Sequence, residues 1–207
     1  MSKWKKSEVF RKKAREAGYR SRAAFKLKEI DDRFQIFKHA TRIVDLCSAP
    51  GSWLQIIRER CDFEEARIVG IDIAYIKPIQ GVKIFQKSIE DPLVVSDILE
   101  FFGQPAQLVL SDCSPKLTGN KLVDRERQLW QAKLSLQLAL QLLGKTGHFI
   151  TKFFQSGEFQ VFITEVKKHF NSVKTFKPTS SFKRSPEMYL IAKGFRGVMR
   201  QANQSDS

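Results

Sequence analysis

Cysteine is scarce in this 207-residue chain: Cys47, Cys61 and Cys113 are odd in number and show no CxxC spacing. That pattern argues against a disulfide framework and a zinc site and predicts reduced thiols. Histidine is equally sparse, and His39, His148 and His169 lack the close pairing of a metal-binding helix, so no metal is expected. No apolar run approaches the roughly 18 residues of a membrane span, and the basic N-terminus has no apolar core of the secretory type. A cytoplasmic protein with no membrane partner is therefore expected. Acid is in deficit too: 22 Asp and Glu stand against 36 Lys and Arg.

The resulting net charge of +14 suits a polyanion, and nucleic acid is the first candidate partner. The excess gathers at Lys3, Lys5, Lys6, Arg11, Lys12, Lys13, Arg15, Arg20 and Arg22, and again from Lys174 to Arg200. Such runs either track a phosphate backbone or form a solvated face, and the charge alone does not choose between them. The length fits one domain, read as a basic N-terminal segment over 1–20, a domain over 21–195 and a tail over 196–207. A monomer is expected.

Strand and helix signals alternate along the chain. Ser21 is placed to cap a helix whose stripe is Ala24, Leu27, Ile30 and Phe34, with Lys26 beside it. Strands are predicted over 41–46, 66–71, 81–86, 107–111 and 147–153, with a closing pair at 173–176 and 188–192. Helices are predicted from Ser52, over 92–102, along Leu129, Ala132, Leu136, Ala139, Leu140 and Leu143 to a stop at Gly144, and over 158–170. This alternation implies a mostly parallel sheet covered on both faces, with ligands beyond the carboxyl ends of its strands. Asp45, Asp72, Asp112 and Lys152 all fall at strand ends.

The loop DLCSAPGSW, residues 45–53, has small residues where a strand turns into a helix. Gly51 would admit close backbone approach to a ligand, and the helix start offers free N–H groups. The loop is not GxGxxG, which disfavours NAD or FAD. Asp72 follows about 20 residues later, where an acid commonly accepts from adenosine ribose hydroxyls. Together they suggest an adenosine-containing cofactor. Trp53 either lies against that cofactor or packs in the core.

The segments SRAAFKLKEI (21–30), VDLCSAPGSW (44–53), VGID (69–72), SDCSP (111–115), TKFFQ (151–155) and SPEMYL (185–190) together resemble the FtsJ-like ribose 2′-O-methyltransferases of RNA. Within that family the branch acting on large-subunit ribosomal RNA is the nearest. The resemblance spans residues 18 to 195 and implies a Rossmann-like methyltransferase fold, with a mostly parallel seven-stranded sheet and S-adenosyl-L-methionine as cofactor. It further implies 2′-O-methylation of RNA, on a uridine of large-subunit ribosomal RNA, in the large subunit or its precursor. A transfer RNA anticodon-loop target and a catalytically silent RNA-binding relative are the alternatives. A small-molecule methyltransferase is a further rival, against which the basic excess argues.

The family's Lys-Asp-Lys-Glu tetrad falls on Lys26, Asp112, Lys152 and Glu187, and its cofactor positions on Gly51, Trp53, Asp72 and Asp112. Where the family often has a Gly-Asp pair after the third strand, this chain reads Lys87-Ser88, so Ser88 takes the adenine-side position. The residues after SDCSP, Lys116 to Arg127, also depart from the family's usual Trp-Asp-containing stretch. Methyl transfer from a sulfonium is an in-line displacement that also needs a proton acceptor for a weakly acidic hydroxyl. Lys152 is the expected base, made neutral by crowding against Lys26 and by partial drying of the pocket. Asp112 would orient its amine or the cofactor, and Lys26 with Glu187 would hold the ribose.

Overall fold

The computed structural model describes residues 3–61, 64, 66–182 and 185–197, and of residues 3–7 the backbone alone. Lys183, Arg184 and Arg200 of the C-terminal basic run, and residues 198–207 of the expected tail, lie outside the described residues, as do the side chains of Lys3, Lys5 and Lys6.

The β-branched runs of the sequence become a single seven-stranded sheet. Its strands are β1 Arg42–Leu46, β2 Arg67–Asp72, β3 Val82–Gln86, β4 Ala106–Ser111, β5 Leu143–Phe154, β6 Phe170–Phe176 and β7 Glu187–Phe195. They lie in the order β3-β2-β1-β4-β5-β7-β6. All neighbours are parallel except β7, which is antiparallel to both β5 and β6. The expected mostly parallel sheet is therefore present.

Side chains alternate across that sheet with the period of two that pleating dictates. Val44, Val69, Val109, Phe149 and Leu190 enter one apolar core, with Ile98 and Phe102 of α4 (Val94–Phe102), Ala132, Leu136 and Ala139 of α5 (Lys121–Leu142), and Phe162 and Val166 of α6 (Phe159–His169). Their neighbours Ile43, Ile68, Leu108, Ile150 and Tyr189 enter the other, against Leu27 and Ile30 of α2 (Ala23–Phe34) and Trp53 and Ile57 of α3 (Ser52–Arg60). Both faces are covered.

Several local readings shift. A helix α1, Lys3–Glu16, occupies the basic N-terminal segment, where no apolar stripe announced one. Helix α2 starts at Ala23 with Arg22 at its N-cap, so Ser21 lies one residue too early to cap it; its hydroxyl instead accepts the Ala23 N–H at 3.2 Å. Helix α5 begins at Lys121, two turns before the apolar stripe, because its first turns bury Asp124 and Gln128 rather than apolar groups. It stops at Leu142, and Gly144 already belongs to β5.

The expectation of three reduced thiols is overturned. Cys47 and Cys113 form a disulfide with their Cα atoms 5.1 Å apart, leaving Cys61 as a free, buried thiol. Parallel pairing of β1 with β4 sets Leu46 opposite Ser111, so the residues just beyond these strands meet in space despite a separation of 66 in sequence. Burial pushes the Cys61 thiol up to about 11.

Candidate active site

The sheet order reverses between β1 and β4, and the crevice beyond the carboxyl ends of these strands is where such folds bind ligands. Three aspartates converge there: Asp45 next to last in β1, Asp72 closing β2, and Asp112 just after β4. A cavity of about 220 Å³ opens among Asp45, Ser48, Trp53, Asp112, Ser114 and Lys152.

Asp45 is the residue that sequence reasoning placed at a strand end but did not assign to the site. It is 1% exposed, and among the described residues neither carboxylate oxygen has a hydrogen-bond partner. Burial, with Asp112 and Asp72 close by, raises its pKa well above the ordinary carboxylate value. A buried carboxylate without a donor or counter-charge is costly. The arrangement fits a ligand that brings a positive charge into the crevice, and S-adenosylmethionine brings two, an ammonium and a sulfonium. Asp45, Asp112 and the loop from Ser48 to Trp53 would hold it.

That loop is held from outside. Asp72 accepts the Ala49 N–H through Oδ2 at 2.9 Å and the Ala74 N–H through Oδ1 at 2.8 Å. Gly51 has φ +99°, a conformation that favours glycine, and a Cβ there would sit 2.5 Å from Arg20 Nη1. Arg20 clasps the loop, donating to Pro50 O at 2.9 Å and to Pro78 O at 3.1 Å. Neither Gly51 nor Asp72 is among the residues lining the cavity. Both shape the loop whose inner side lines it. Gly51→Val and Asp72→Ala are each expected to weaken S-adenosylmethionine binding by about tenfold or more, through loss of this loop geometry. Calorimetry on the folded variants checks this, and unchanged affinity in both would remove the loop from the site.

Trp53 belongs to both of its readings. It is buried, donates its indole N–H to Ala23 O at 3.0 Å, and still lines the cavity. Ser88 does not line the cavity; its hydroxyl accepts the Glu90 N–H at 3.1 Å. Its neighbour Lys87 is ion-paired with Asp97.

The four tetrad side chains form two ion pairs. Lys152 Nζ donates to the Asp112 carbonyl at 2.7 Å and lies 3.1 Å from Asp112 Oδ1. Lys26 Nζ lies 2.7 Å and 2.8 Å from the two Glu187 oxygens, and Ser181 donates to Glu187 Oε1 at 2.7 Å. Both lysines are buried. Lys26 is thus not a bare second cation: it has a carboxylate of its own.

Tyr189 connects the pairs, and sequence reasoning missed it. Antiparallel pairing of β5 with β7 puts it opposite Lys152, and the pleat puts Glu187 on its face of β7. Its hydroxyl donates to Asp112 Oδ1 at 2.7 Å, and its ring centroid lies 5.9 Å from Lys26 Nζ. Burial and the Asp112 charge hold the phenol well above its ordinary pKa. For Asp112 itself burial pushes the carboxyl up. Lys152 and Lys26 nearby, with the hydrogen bonds from Tyr189 and Lys152, more than offset this and leave it below its ordinary value. Gln128 closes the floor, its amide donating to Cys113 O at 3.1 Å and Lys152 O at 3.2 Å.

Chemically, the crevice has a cation-seeking carboxylate at one end and an amine held by an ionised carboxylate beside it. A family model of FtsJ-like methyltransferases matches residues 19–195. The ribosomal RNA large subunit methyltransferase E of Methanoculleus marisnigri is 41% identical over 201 residues, covering 97% of each chain. The protein of that name from Agrobacterium fabrum is 42% identical over 193 residues, covering 92% of this chain and 78% of its own. Among solved structures, a ribosomal RNA methyltransferase of Plasmodium falciparum superposes with a TM-score of 0.76 at 30% identity, covering 87% of this chain and all of that one.

Proposed function

The chain belongs to the FtsJ-like methyltransferase family of S-adenosylmethionine-dependent enzymes, and we propose that its acceptor is a ribose 2′-hydroxyl of large-subunit ribosomal RNA. The observation that carries this reading is the convergence of Asp45, Asp112 and Lys152 on one cavity, with the Lys26–Glu187 pair joined to it through Tyr189. The names of the relatives support the choice of ribosomal RNA. The net charge of +14 supports a polyanionic acceptor over a small molecule.

S-adenosylmethionine, when bound, supplies a methyl carbon already activated by the positive sulfur. The chain's own residues then have two tasks: to align the acceptor oxygen and to take its proton. Lys152 is the proposed proton acceptor, and it must be neutral when it acts, because a lysine ammonium has no lone pair. Asp112 fixes that amine through its carbonyl and carboxylate, and Tyr189 holds the carboxylate in place. Lys26 and Glu187 present a donor and acceptors suited to ribose hydroxyls. The same reading takes the enzyme to act as a monomer in the cytoplasm.

The test is a comparison of acceptors from cells lacking this gene: large ribosomal subunits, the naked ribosomal RNA and total transfer RNA, each given labelled cofactor. Label is expected in large-subunit RNA. Label confined to transfer RNA would overturn the ribosomal assignment.

A further inference from the structure

The pairing of β4 with β5 ends at Ser111 opposite Thr151, one residue short of both Asp112 and Lys152. The carboxylate and the amine of the site therefore stand where the ladder between their own strands has stopped, and another contact sets their separation. Gln128 of α5 lies across that gap. It is 1% exposed, and its Nε2 donates to Cys113 O at 3.1 Å and to Lys152 O at 3.2 Å. An amide nitrogen carries two hydrogens, so each carbonyl takes one and both donors are used. The two acceptors also fix the orientation of the amide, because the flipped form would turn its oxygen toward two carbonyl oxygens. With the bond from Lys152 Nζ to the Asp112 carbonyl, a closed ring runs from the lysine amine through Asp112, Cys113 and Gln128 back to the Lys152 carbonyl. Moving the ends of β4 and β5 apart requires a break in that ring.

A buried amide is unfavourable where its hydrogen bonds are not made. At Gln128 the bonding is one-sided: among the described residues its buried Oε1 has no hydrogen-bond partner. An apolar side chain at this position would avoid that loss and would continue the stripe of Ala132, Leu136 and Ala139 that packs α5 on the sheet. Stability alone does not account for a glutamine here. The two donated bonds do.

We propose that Gln128 is a positioning residue for methyl transfer, holding the Lys152 amine in place against Asp112 and hence against the acceptor oxygen, without touching cofactor or RNA. The inference rests on the role assigned to Lys152 above. Gln128 is not among the residues lining the cofactor cavity. The cofactor loop is held separately, by Arg20, by Asp72 and by the Cys47–Cys113 bridge, and the Lys26–Glu187 pair is held by Ser181. Loss of the Gln128 donors should therefore act on the chemical step and leave both binding steps alone.

Gln128→Met keeps the length and the helix preference of the side chain and removes its donors. With large ribosomal subunits from cells lacking this gene, its single-turnover rate at saturating cofactor and subunit is expected to fall about tenfold to a hundredfold, the scale of a misplacement near 1 Å. KM for the subunit and calorimetric affinity for S-adenosylmethionine should stay at the parent values. Gln128→Asn keeps a buried amide that is one methylene too short to serve both carbonyls. It should show a smaller loss with the same split, and it carries the test if Gln128→Met does not fold. On a Lys152→Ala background, Gln128→Met should slow the residual reaction no further, because the amine it positions is gone. An unchanged single-turnover rate would overturn the proposal. So would a loss shared with cofactor affinity or KM, or a further loss on the Lys152→Ala background, since either would make Gln128 a packing residue of α5. Failure of the Lys152 role is read separately, as activity kept in Lys152→Arg, and failure of the acceptor assignment as no RNA methylated by the parent.

Discussion

Lys152→Arg is expected to lose about a hundredfold to ten-thousandfold in single-turnover methylation, the range that general-base catalysis supplies, while binding S-adenosylmethionine as the parent does. A guanidinium keeps the positive charge beside Asp112 and can still donate to its carbonyl, but it stays protonated at any working pH and cannot accept a proton. Lys152→Ala should be equally inactive for a different reason, having no amine at all. The pair separates proton transfer from electrostatic anchoring, because an anchor would tolerate Arg far better than Ala. Single-turnover rates at saturating cofactor make the comparison, with cofactor affinity as the control for folding. Substantial activity in Lys152→Arg would reduce Lys152 to an anchor for Asp112.

The second large effect is expected at Asp45, where stability and cofactor binding should move in opposite directions. Its carboxyl is held well above the ordinary range by burial and by the neighbouring Asp112 and Asp72. A group whose folded pKa is raised contributes stability below its unfolded value, near pH 4, and that contribution is lost as pH rises through the folded value. At neutral pH the protein without cofactor therefore carries a stability penalty at Asp45. Asp45→Asn removes it and should raise the melting temperature of the cofactor-free protein at pH 7, by an amount corresponding to about 1–3 kcal/mol. The same change should weaken S-adenosylmethionine binding by about tenfold to a hundredfold, since the counter-charge is gone. Melting curves with and without cofactor read both effects. At pH 4 the stability gap between variant and parent should narrow. Unchanged cofactor affinity would mean that Asp45 faces no charge of the ligand.

These two residues also show how far the sequence could be read. Lys152, Asp112, Lys26 and Glu187 were legible because each lies in a short, recognisable segment, and the topology brings the segments together: β4 beside β5, and β7 antiparallel to β5. The inner strands β1, β2, β4 and β7 were legible because they are mostly buried on both faces and β-branched runs have little other use. What a residue bonds to once folded was less accessible. Asp72 reads as a ribose acceptor, but its second task, holding the loop through the Ala49 and Ala74 amides, depends on the fold. For Ser88 the fold adds a turn-capping bond, its hydroxyl accepting the Glu90 N–H. The Cys47–Cys113 bridge depends on strand neighbours 66 residues apart, which spacing rules do not see. Tyr189 was within a quoted motif, but its bond to Asp112 exists only through the β5–β7 register. Helix α1 escaped notice because its sequence is mostly charge, with Ala14 buried and Phe10 half-buried against Phe25 as its apolar contacts among the described side chains.

The two-pair geometry also revises how Lys26 works. Neutralised by Glu187, it brings a directional donor rather than a repelling charge to the site. Glu187 is in turn held by Ser181, so the pair has a fixed orientation independent of RNA. This suits substrate positioning.

The central claim, methyl transfer to a ribose 2′-oxygen of RNA, is tested most directly by the chemistry of the product. Large subunits from cells lacking the gene are incubated with the protein and methyl-labelled S-adenosylmethionine, and the extracted RNA is hydrolysed in alkali. Alkaline cleavage requires a free 2′-hydroxyl, so a 2′-O-methylated nucleotide survives as part of an uncleaved dinucleotide. Label recovered in alkali-resistant dinucleotides is the predicted result. Label recovered in mononucleotides, as base methylation would give, or no label in RNA at all, would contradict the account.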